Sequence, residues 1–129
     1  MEKRILQWAS LLGFLAVVLG AFGAHTLEQF LSPERLETFD VGVEYHFIHV
    51  LAMILCAILY RQFQIKGFAR AAWFFLVGIF CFSGSIYLLA CRELIALPIS
   101  WLGPVTPLGG TLFIIGWGIL FVSSIKISN

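Results

Sequence analysis

The residues of this sequence with the clearest chemical potential are three histidines and a tyrosine: His25, Tyr45, His46 and His49. A helical spacing of three and four residues places Tyr45, His46 and His49 on one face of a helix. Imidazoles can bind a transition metal or haem, relay protons, or form hydrogen bonds between helices. His25 ends an earlier apolar stretch on the same side, and we expect it to complete this cluster.

Four further polar residues are candidates for the same cluster: Ser83, Ser85, Tyr87 and Thr106. Thr106 is predicted to be a helix N-cap, because the following Pro107 suits the first position of a helix. Free amides at that helix start would then lie beside the histidines and form an anion or carbonyl site. The alternative is a capped helix without a ligand. We assign no catalytic residue, no metal ligand and no cofactor from the sequence.

The elements that must position these side chains are four apolar stretches, at about residues 5–23, 43–60, 71–90 and 108–125. Each approaches the roughly 20 residues that cross about 30 Å of hydrocarbon as a helix. The chain of 129 residues is 60% hydrophobic and 12% charged, whereas soluble domains carry about 25% charged residues. Open sheet edges find no partner in lipid, and a barrel would show alternating segments. We therefore predict an all-α bundle of four transmembrane helices, forming one integral membrane domain over residues 1–129.

The charged residues predict the orientation of the bundle. Six basic residues fall on one side of a layout with four spans: Lys3, Arg4, Arg61, Lys66, Arg70 and Lys126. Only Arg35 and Arg92 fall on the other side. Because Lys and Arg near span ends are retained in the cytoplasm, both termini are predicted to be cytoplasmic. We interpret the basic residues of this side as a signal of membrane topology rather than as a specific lipid site. The sequence contains no run of basic residues that would indicate binding of nucleic acid.

A short interfacial helix is predicted before the second span. Ser32 can cap the free amides, Pro33 suits the first helical position, and Glu34 lies at the positive end of the helix dipole. Apolar residues continue at helical spacing from there into the second span. We therefore expect a helix that runs nearly straight from the interface into the membrane.

Small residues mark the predicted packing faces of the helices. The glycines assigned to helix packing are Gly13, Gly20, Gly23, Gly78, Gly109 and Gly116. Spacings of three, four or seven residues let helix backbones approach closely in lipid. The basic start of the chain followed by an apolar run also resembles a signal peptide, but the small-residue face favours a retained helix.

The cysteines and acidic residues exclude some classes of site. Cys56, Cys81 and Cys91 form no C-x-x-C pattern and are expected to be free thiols. No acidic residue occupies the middle of a span, which argues against a small four-helix multidrug transporter coupled to protons.

Four ordered blocks of the sequence resemble a known family. The blocks are Gly20-Ala-Phe-Gly-Ala-His25-x-Leu27, Tyr45-His46-x-x-His49-x-Leu51-Ala52, Phe82-Ser-Gly-Ser-x-Tyr87, and Thr106-Pro-Leu-Gly-Gly110 followed by Gly116-Trp117. They are similar to the signature blocks of the YgdD-like, transmembrane protein 256 family, a domain of unknown function. The resemblance covers nearly the whole chain and implies a multi-pass protein of the bacterial inner membrane, without an assigned reaction. It also implies that relatives often carry glutamine at the position of His46, which favours His25 and His49 as functional residues.

The combined observations favour a non-enzymatic structural or assembly component of the plasma membrane. Its expected partners are the lipid bilayer, another copy of the chain or other membrane proteins. Two alternatives remain open: a pathway for a small solute or ion, and metal or haem binding through the histidines.

Overall fold

The computed structural model describes residues 1–95 and 98–127, and all regular secondary structure in these residues is helical. The α-helices are α1 (Glu2–His25), α2 (Pro33–Phe63), α3 (Lys66–Ile79), α4 (Ser85–Ala90) and α5 (Val105–Ser124). A π-helical turn, Phe80–Gly84, joins α3 to α4, and short 3-10 turns occupy Leu27–Gln29 and Ser100–Leu102. Four helical segments are long and apolar enough to span a membrane: Glu2–Gln29, Pro33–Phe63, Lys66–Ala90 and Ser100–Ser124. The predicted bundle of four spanning helices is confirmed, and each helical segment begins before the apolar stretch predicted for it.

The start of α2 confirms the predicted interfacial helix. Ser32 is the N-cap, its hydroxyl oxygen accepts a hydrogen bond from the Arg35 amide at 3.4 Å, and Pro33 takes the first helical position. The helix contains 31 residues, so it is about 46 Å long at about 1.5 Å per residue. This length exceeds the roughly 30 Å of hydrocarbon, and the excess forms the predicted extension into the interface.

A tight turn makes α2 and α3 antiparallel neighbours. α2 ends at Phe63, and Gln64 adopts a left-handed conformation with φ 55° while its amide donates to the Tyr60 carbonyl. α3 begins two residues later at Lys66. A connection this short leaves the second helix no room to pack elsewhere, so it lies against the first.

The helices pack in the order α1, α2, α3 and α5, so α2 and the segment of α3 and α4 form the covered middle of the bundle. α1 packs on α2, α2 on α3, and α3 on α5. Phe68 and Phe75 of α3 are fully buried, together with Met53 of α2. Within the described residues, the backbones of α2 and α5 do not pack closely on each other, although both helices pack on α3. A groove between α2 and α5 follows from this arrangement.

The glycines predicted to pack lie where side chains of neighbouring helices approach. A Cβ atom at Gly13, Gly20 or Gly23 of α1 would meet Val50, Val43 or Phe39 of α2, whereas one at Gly78, Gly109 or Gly116 would meet Phe113, Phe82 or Phe75 across the α3–α5 interface. Gly109 is the tightest point against backbone. A Cβ atom there would press on the Phe82 amide nitrogen and lie 2.7 Å from its Cα atom. Only glycine allows this approach without moving a helix.

The predicted cap at Thr106 is wrong. α5 begins at Val105, two residues before the predicted first helical residue Pro107, and Pro104 occupies the N-cap position without a side-chain hydrogen bond. The Thr106 hydroxyl instead lies 2.6 Å from the Ser85 hydroxyl, so a contact between helices competes with the local cap. The predicted amide site beside Thr106 loses its basis.

An ion pair ties α2 to the end of α4 at the predicted outer face. Arg35 Nη1 donates to the Leu89 carbonyl at 3.1 Å, and Nη2 lies 3.0 Å from Glu93 Oε1. Leu89 is in the last turn of α4, where free carbonyls favour a cation. The pair is partly exposed, so its role is to align the two helix ends rather than to supply much stability.

Adjacent glycines of α5 supply the first prediction. Replacing Gly109 by alanine is expected to lower the free energy of unfolding by about 1–3 kcal/mol, because the backbone of Phe82 must move away. Equilibrium unfolding in mixed micelles measures this change.

Replacement of Gly110 is the matched control. A Cβ atom there would lie 3.8 Å from the Phe82 ring, an ordinary contact, so Gly110→Ala should be neutral or stabilising by up to about 1 kcal/mol from helix propensity. Equal losses for the two variants would contradict the close approach at Gly109.

Candidate functional site

His49 is the centre of the polar residues inside the bundle. It lies on α2 and is 4% exposed. Its Nδ1 is 2.7 Å from the Tyr45 carbonyl, and the indole N–H of Trp117 on α5 donates to its Nε2 at 3.1 Å. A carbonyl can only accept and an indole N–H can only donate. These partners assign the neutral tautomer with the proton on Nδ1, and both ring nitrogens are used within the protein.

Aromatic rings enclose the His49 imidazole. Phe113 of α5 stacks on it with a centroid distance of 3.5 Å and an interplanar angle of 6°, and Phe75 of α3 packs at 5.4 Å. Trp117 approaches edge-on at 6.1 Å. One side chain of α2 therefore contacts both α3 and α5.

His46 forms a second connection, between α2 and α4. It is 3% exposed, and its Nδ1 is 3.0 Å from the Tyr87 hydroxyl. Gly42, one turn earlier on α2, makes room for the Tyr87 ring, since a Cβ atom there would lie 2.9 Å from that ring. The buried Nε2 of His46 has no hydrogen bond of good geometry to any residue that the structure describes, although the backbone of Leu12 on α1 lies next to the ring.

The π-helical turn and the first residue of α4 present two serines to the interior. The hydroxyl of Ser85 lies within hydrogen-bond distance of the Cys81 and Phe82 carbonyls, at 2.5 and 2.9 Å, and of the Thr106 hydroxyl. A π-helical turn loosens the regular ladder of backbone hydrogen bonds. Ser85 therefore contacts the carbonyls of this turn and α5 at once. Ser83 is fully buried, and its hydroxyl has no partner among the described residues.

The structure brings the predicted polar residues together as pairs. His49 bonds to the backbone of Tyr45, His46 to Tyr87, and Ser85 to Thr106. His25 is the last residue of α1 and is exposed. Only its backbone carbonyl takes part in a hydrogen bond beyond the helix, as an acceptor from the Gln29 side chain at 3.4 Å.

A groove of about 550 Å³ opens between α2 and α5 beside His49. Its lining includes Tyr45, Ile48, His49, Phe82, Ile114 and Trp117, and we call it the α2–α5 groove. Ile48 and Ile114 on its two edges are 44% and 73% exposed. Since both edges belong to lipid-facing helix surfaces, the groove opens sideways into the bilayer and suits an apolar occupant.

Metal binding finds little support in the side chains that the structure places together. In residues 1–95 and 98–127, no group of three or more His, Cys, Asp or Glu side chains could hold a metal ion. The Nε2 lone pair of His49 is already used by Trp117, and the Nδ1 proton by Tyr45. A metal at His49 would have to break one of these two hydrogen bonds.

The cysteines are free thiols, as predicted. Cys56 is buried in the core, and Cys81 and Cys91 are partly buried. Cys91 follows the end of α4, and burial raises the pKa of its thiol. A raised pKa lowers the thiolate fraction, which is the reactive form.

Two aromatic residues of the site were not predicted as partners of the histidines. Trp117 was expected to pack at depth and Phe113 was not singled out, yet both contact the imidazole of His49. The only sequence signal was the position of Trp117 well inside a span, where an indole N–H needs an acceptor. The identity of that acceptor depends on how α2 and α5 face each other across α3.

Comparisons with known proteins give one matching family and several similar membrane proteins. The model of a family described as "Protein of unknown function (DUF423)" matches residues 19–110. The chain is 42% identical over 113 residues to UPF0382 membrane protein YwdK of Bacillus subtilis, covering 87% of this chain and 88% of the relative. It is 39% identical over 127 residues to a UPF0382 membrane protein of Haemophilus influenzae, covering 98% and 97% of the two chains.

A third relative carries the name that the sequence blocks suggested. The chain is 33% identical over 128 residues to UPF0382 inner membrane protein YgdD of Escherichia coli, covering 99% of this chain and 94% of the relative. The resemblance drawn from the four blocks is confirmed. No solved structure matches the chain.

The hydrogen bonds of His49 supply the second prediction. Nitrogen-15 NMR of the histidine side chains in micelles is expected to show the neutral Nδ1–H tautomer for His49. Trp117→Phe removes the donor to Nε2, so it should shift that resonance and lower the free energy of unfolding by about 1 kcal/mol.

Trp101 provides the matched control for this change. It is 67% exposed near the start of α5, and Trp101→Phe should leave the His49 resonances and the stability unchanged. An Nε2–H tautomer in the unmodified protein would refute the assigned hydrogen-bond pattern.

Proposed function

The chain belongs to the DUF423 family of proteins of unknown function, and we propose that it is a non-enzymatic structural component of the bacterial plasma membrane that assembles with a second copy of itself. The name of the Escherichia coli relative as an inner membrane protein supports this location. The observation that carries the proposal is the α2–α5 groove with a protruding isoleucine on its edge.

The internal hydrogen bonds support a structural rather than a catalytic role for the histidines. A general base needs a lone pair within reach of its substrate. The indole N–H of Trp117 donates to the Nε2 lone pair of His49, and Phe113 stacks on the His49 ring. The Tyr87 hydroxyl is hydrogen-bonded to Nδ1 of His46, and the His46 ring is also buried. Both histidines are therefore better placed to hold helices together than to transfer protons.

The α2–α5 groove is the feature that an assembling partner would fill. Helices associate in lipid through close packing, because apolar surface gains nothing by leaving acyl chains for another apolar surface. A groove beside a helix edge gives a partner helix contacts on several sides. Gly110 lines this groove, and a Cβ atom there would meet only the Phe82 ring at 3.8 Å, so the backbone of α5 is accessible to a close approach.

The same surface contains both a protruding group and a recess, which favours a second copy as the partner. Ile114 lies on the edge of the groove and, at 73%, is the most exposed of the large apolar side chains in the described residues. In a two-fold pair the same patch of each copy faces the other. Ile114 of each copy would then enter the groove of the other, near Ile48.

Disulfide crosslinking in membranes tests this assembly. The variant Ile48→Cys/Ile114→Cys, made with Cys81 and Cys91 replaced by alanine, is expected to form a covalent dimer on mild oxidation. Mass measurement of the unmodified protein in a mild detergent should give twice the mass of one chain. Gly110→Leu fills the groove from within one copy and should reduce the dimer by about ten-fold or more.

The control for crosslinking is a cysteine on the opposite side of the bundle. Phe14 of α1 is 65% exposed and lies away from the groove, so Phe14→Cys in the same background should remain monomeric under oxidation. A monomeric mass without crosslinking at 48 and 114 would overturn the proposal. A crosslink to a chain of another mass would overturn self-association.

A further inference from the structure

A second groove runs along the other flank of α5, toward the predicted cytoplasmic end. It has a volume of about 310 Å³, and its lining includes Arg70, Ile115, Gly118, Ile119, Val122 and Lys126. We call it the basic groove. It shares no lining residue with the α2–α5 groove, so binding in the basic groove does not depend on self-association.

The two cations of the basic groove have no acidic partner in the described residues. Arg70 begins the second turn of α3, and Lys126 follows the end of α5. Both are exposed, and neither takes part in an ion pair described by the structure. Glu2 is the only acidic residue among those predicted to face the cytoplasm, and it pairs with the terminal amine of its own helix. Among the described residues, no acidic side chain neutralises the charge at this end of the groove, so an external anion can bind there.

The depth of the basic groove matches one leaflet of a bilayer. The part of α5 from Ile115 to Ser124 rises about 14 Å at about 1.5 Å per residue. One leaflet contributes about 15 Å of hydrocarbon. The cations therefore lie at the headgroup level while the apolar part of the groove ends near the middle of the membrane.

Gly118 forms an open floor in the apolar part of the groove. A Cβ atom at this position would meet no atom within 4 Å, unlike one at Gly109 or Gly116 on the buried side of α5. Packing inside the protein does not account for this glycine. A chain lying in the groove from outside would pass directly over it.

We propose that the basic groove binds one anionic phospholipid of the cytoplasmic leaflet. The phosphate lies between Arg70 and Lys126, and one acyl chain runs over Gly118 toward Ile115. Positive residues between helices at the cytoplasmic side recognise such headgroups through charge. Three features support this assignment together: two cations without an acidic partner in the described residues, a groove of one-leaflet depth, and a floor without a side chain.

Native mass spectrometry of the full chain in a neutral detergent tests the assignment. Titration with dioleoyl phosphatidylglycerol is expected to give one retained lipid per chain, with dioleoyl phosphatidylcholine bound at least ten-fold more weakly. Arg70→Gln/Lys126→Gln should weaken phosphatidylglycerol binding by about twenty-five-fold, since each cation near a membrane surface contributes about five-fold. Inorganic phosphate at millimolar concentration should not displace the lipid, because it lacks the acyl chain.

Two further variants separate this site from general attraction to a basic surface. Lys3→Gln/Arg4→Gln removes the same charge from the same side but outside the groove, and it should retain the lipid. Gly118→Leu should fill the groove without touching the core and weaken binding by about ten-fold or more, at unchanged helix content.

Three results would overturn the assignment. The first is an equal loss of lipid in both charge variants, which would reduce the effect to net charge. The second is undiminished binding by Gly118→Leu in a folded protein, which would leave the acyl chain outside the groove. The third is displacement of the lipid by inorganic phosphate, which would make the site one for a free anion.

Discussion

Polar atoms inside a membrane must find partners within the protein, and this constraint organises the bundle. Water is absent from the hydrocarbon, so an imidazole or hydroxyl without a partner is costly. The spans meet most of this constraint by pairing across helices: His49 with Trp117, His46 with Tyr87, and Ser85 with Thr106. Among the described residues, His46 Nε2 and the Ser83 hydroxyl are buried exceptions. Each pair joins two different helices, and together the three pairs hold α2, α4 and α5 in place against one another.

The pairs form only because the helix backbones come close, and glycine and the π-helical turn provide that closeness. Gly109 lets α5 approach the backbone at Phe82, inside the π-helical turn. Directly after the same turn, Ser85 reaches Thr106. Gly42 makes the corresponding room for Tyr87 beside His46. Small residues and polar pairs are therefore two parts of one packing solution, since a larger residue at either glycine would separate the partners.

The sequence predicted whatever depends on local pattern and missed what depends on contacts between helices. The spans and the Ser32 cap follow from apolar length and from side chains within one turn of the backbone, and both are confirmed. The cap at Thr106 failed because Ser85, remote in sequence, competes for its hydroxyl. The π-helical turn contains no proline that would mark it in the sequence, and it lies where α5 approaches the backbone of Phe82. The histidines were predicted from their spacing within one helix. Trp117 was not recognised as a partner of His49, because that contact depends on how α2 and α5 pack on α3.

Because both ring nitrogens of His49 are hydrogen-bonded inside the bundle, we place the binding of partners and lipids on the flanks of α5. The hydrogen bonds of His49 and the rings packed on it leave its imidazole no free nitrogen for a ligand. α5 packs on α3 along one side and faces lipid on the rest, with a groove on each flank. One groove is aromatic and carries Ile114 on its edge, which suits a protein surface. The other ends in Arg70 and Lys126, which suits an anionic headgroup. A helix held by α3 on one side can thus present two chemically different surfaces to the membrane while the polar pairs keep its position fixed.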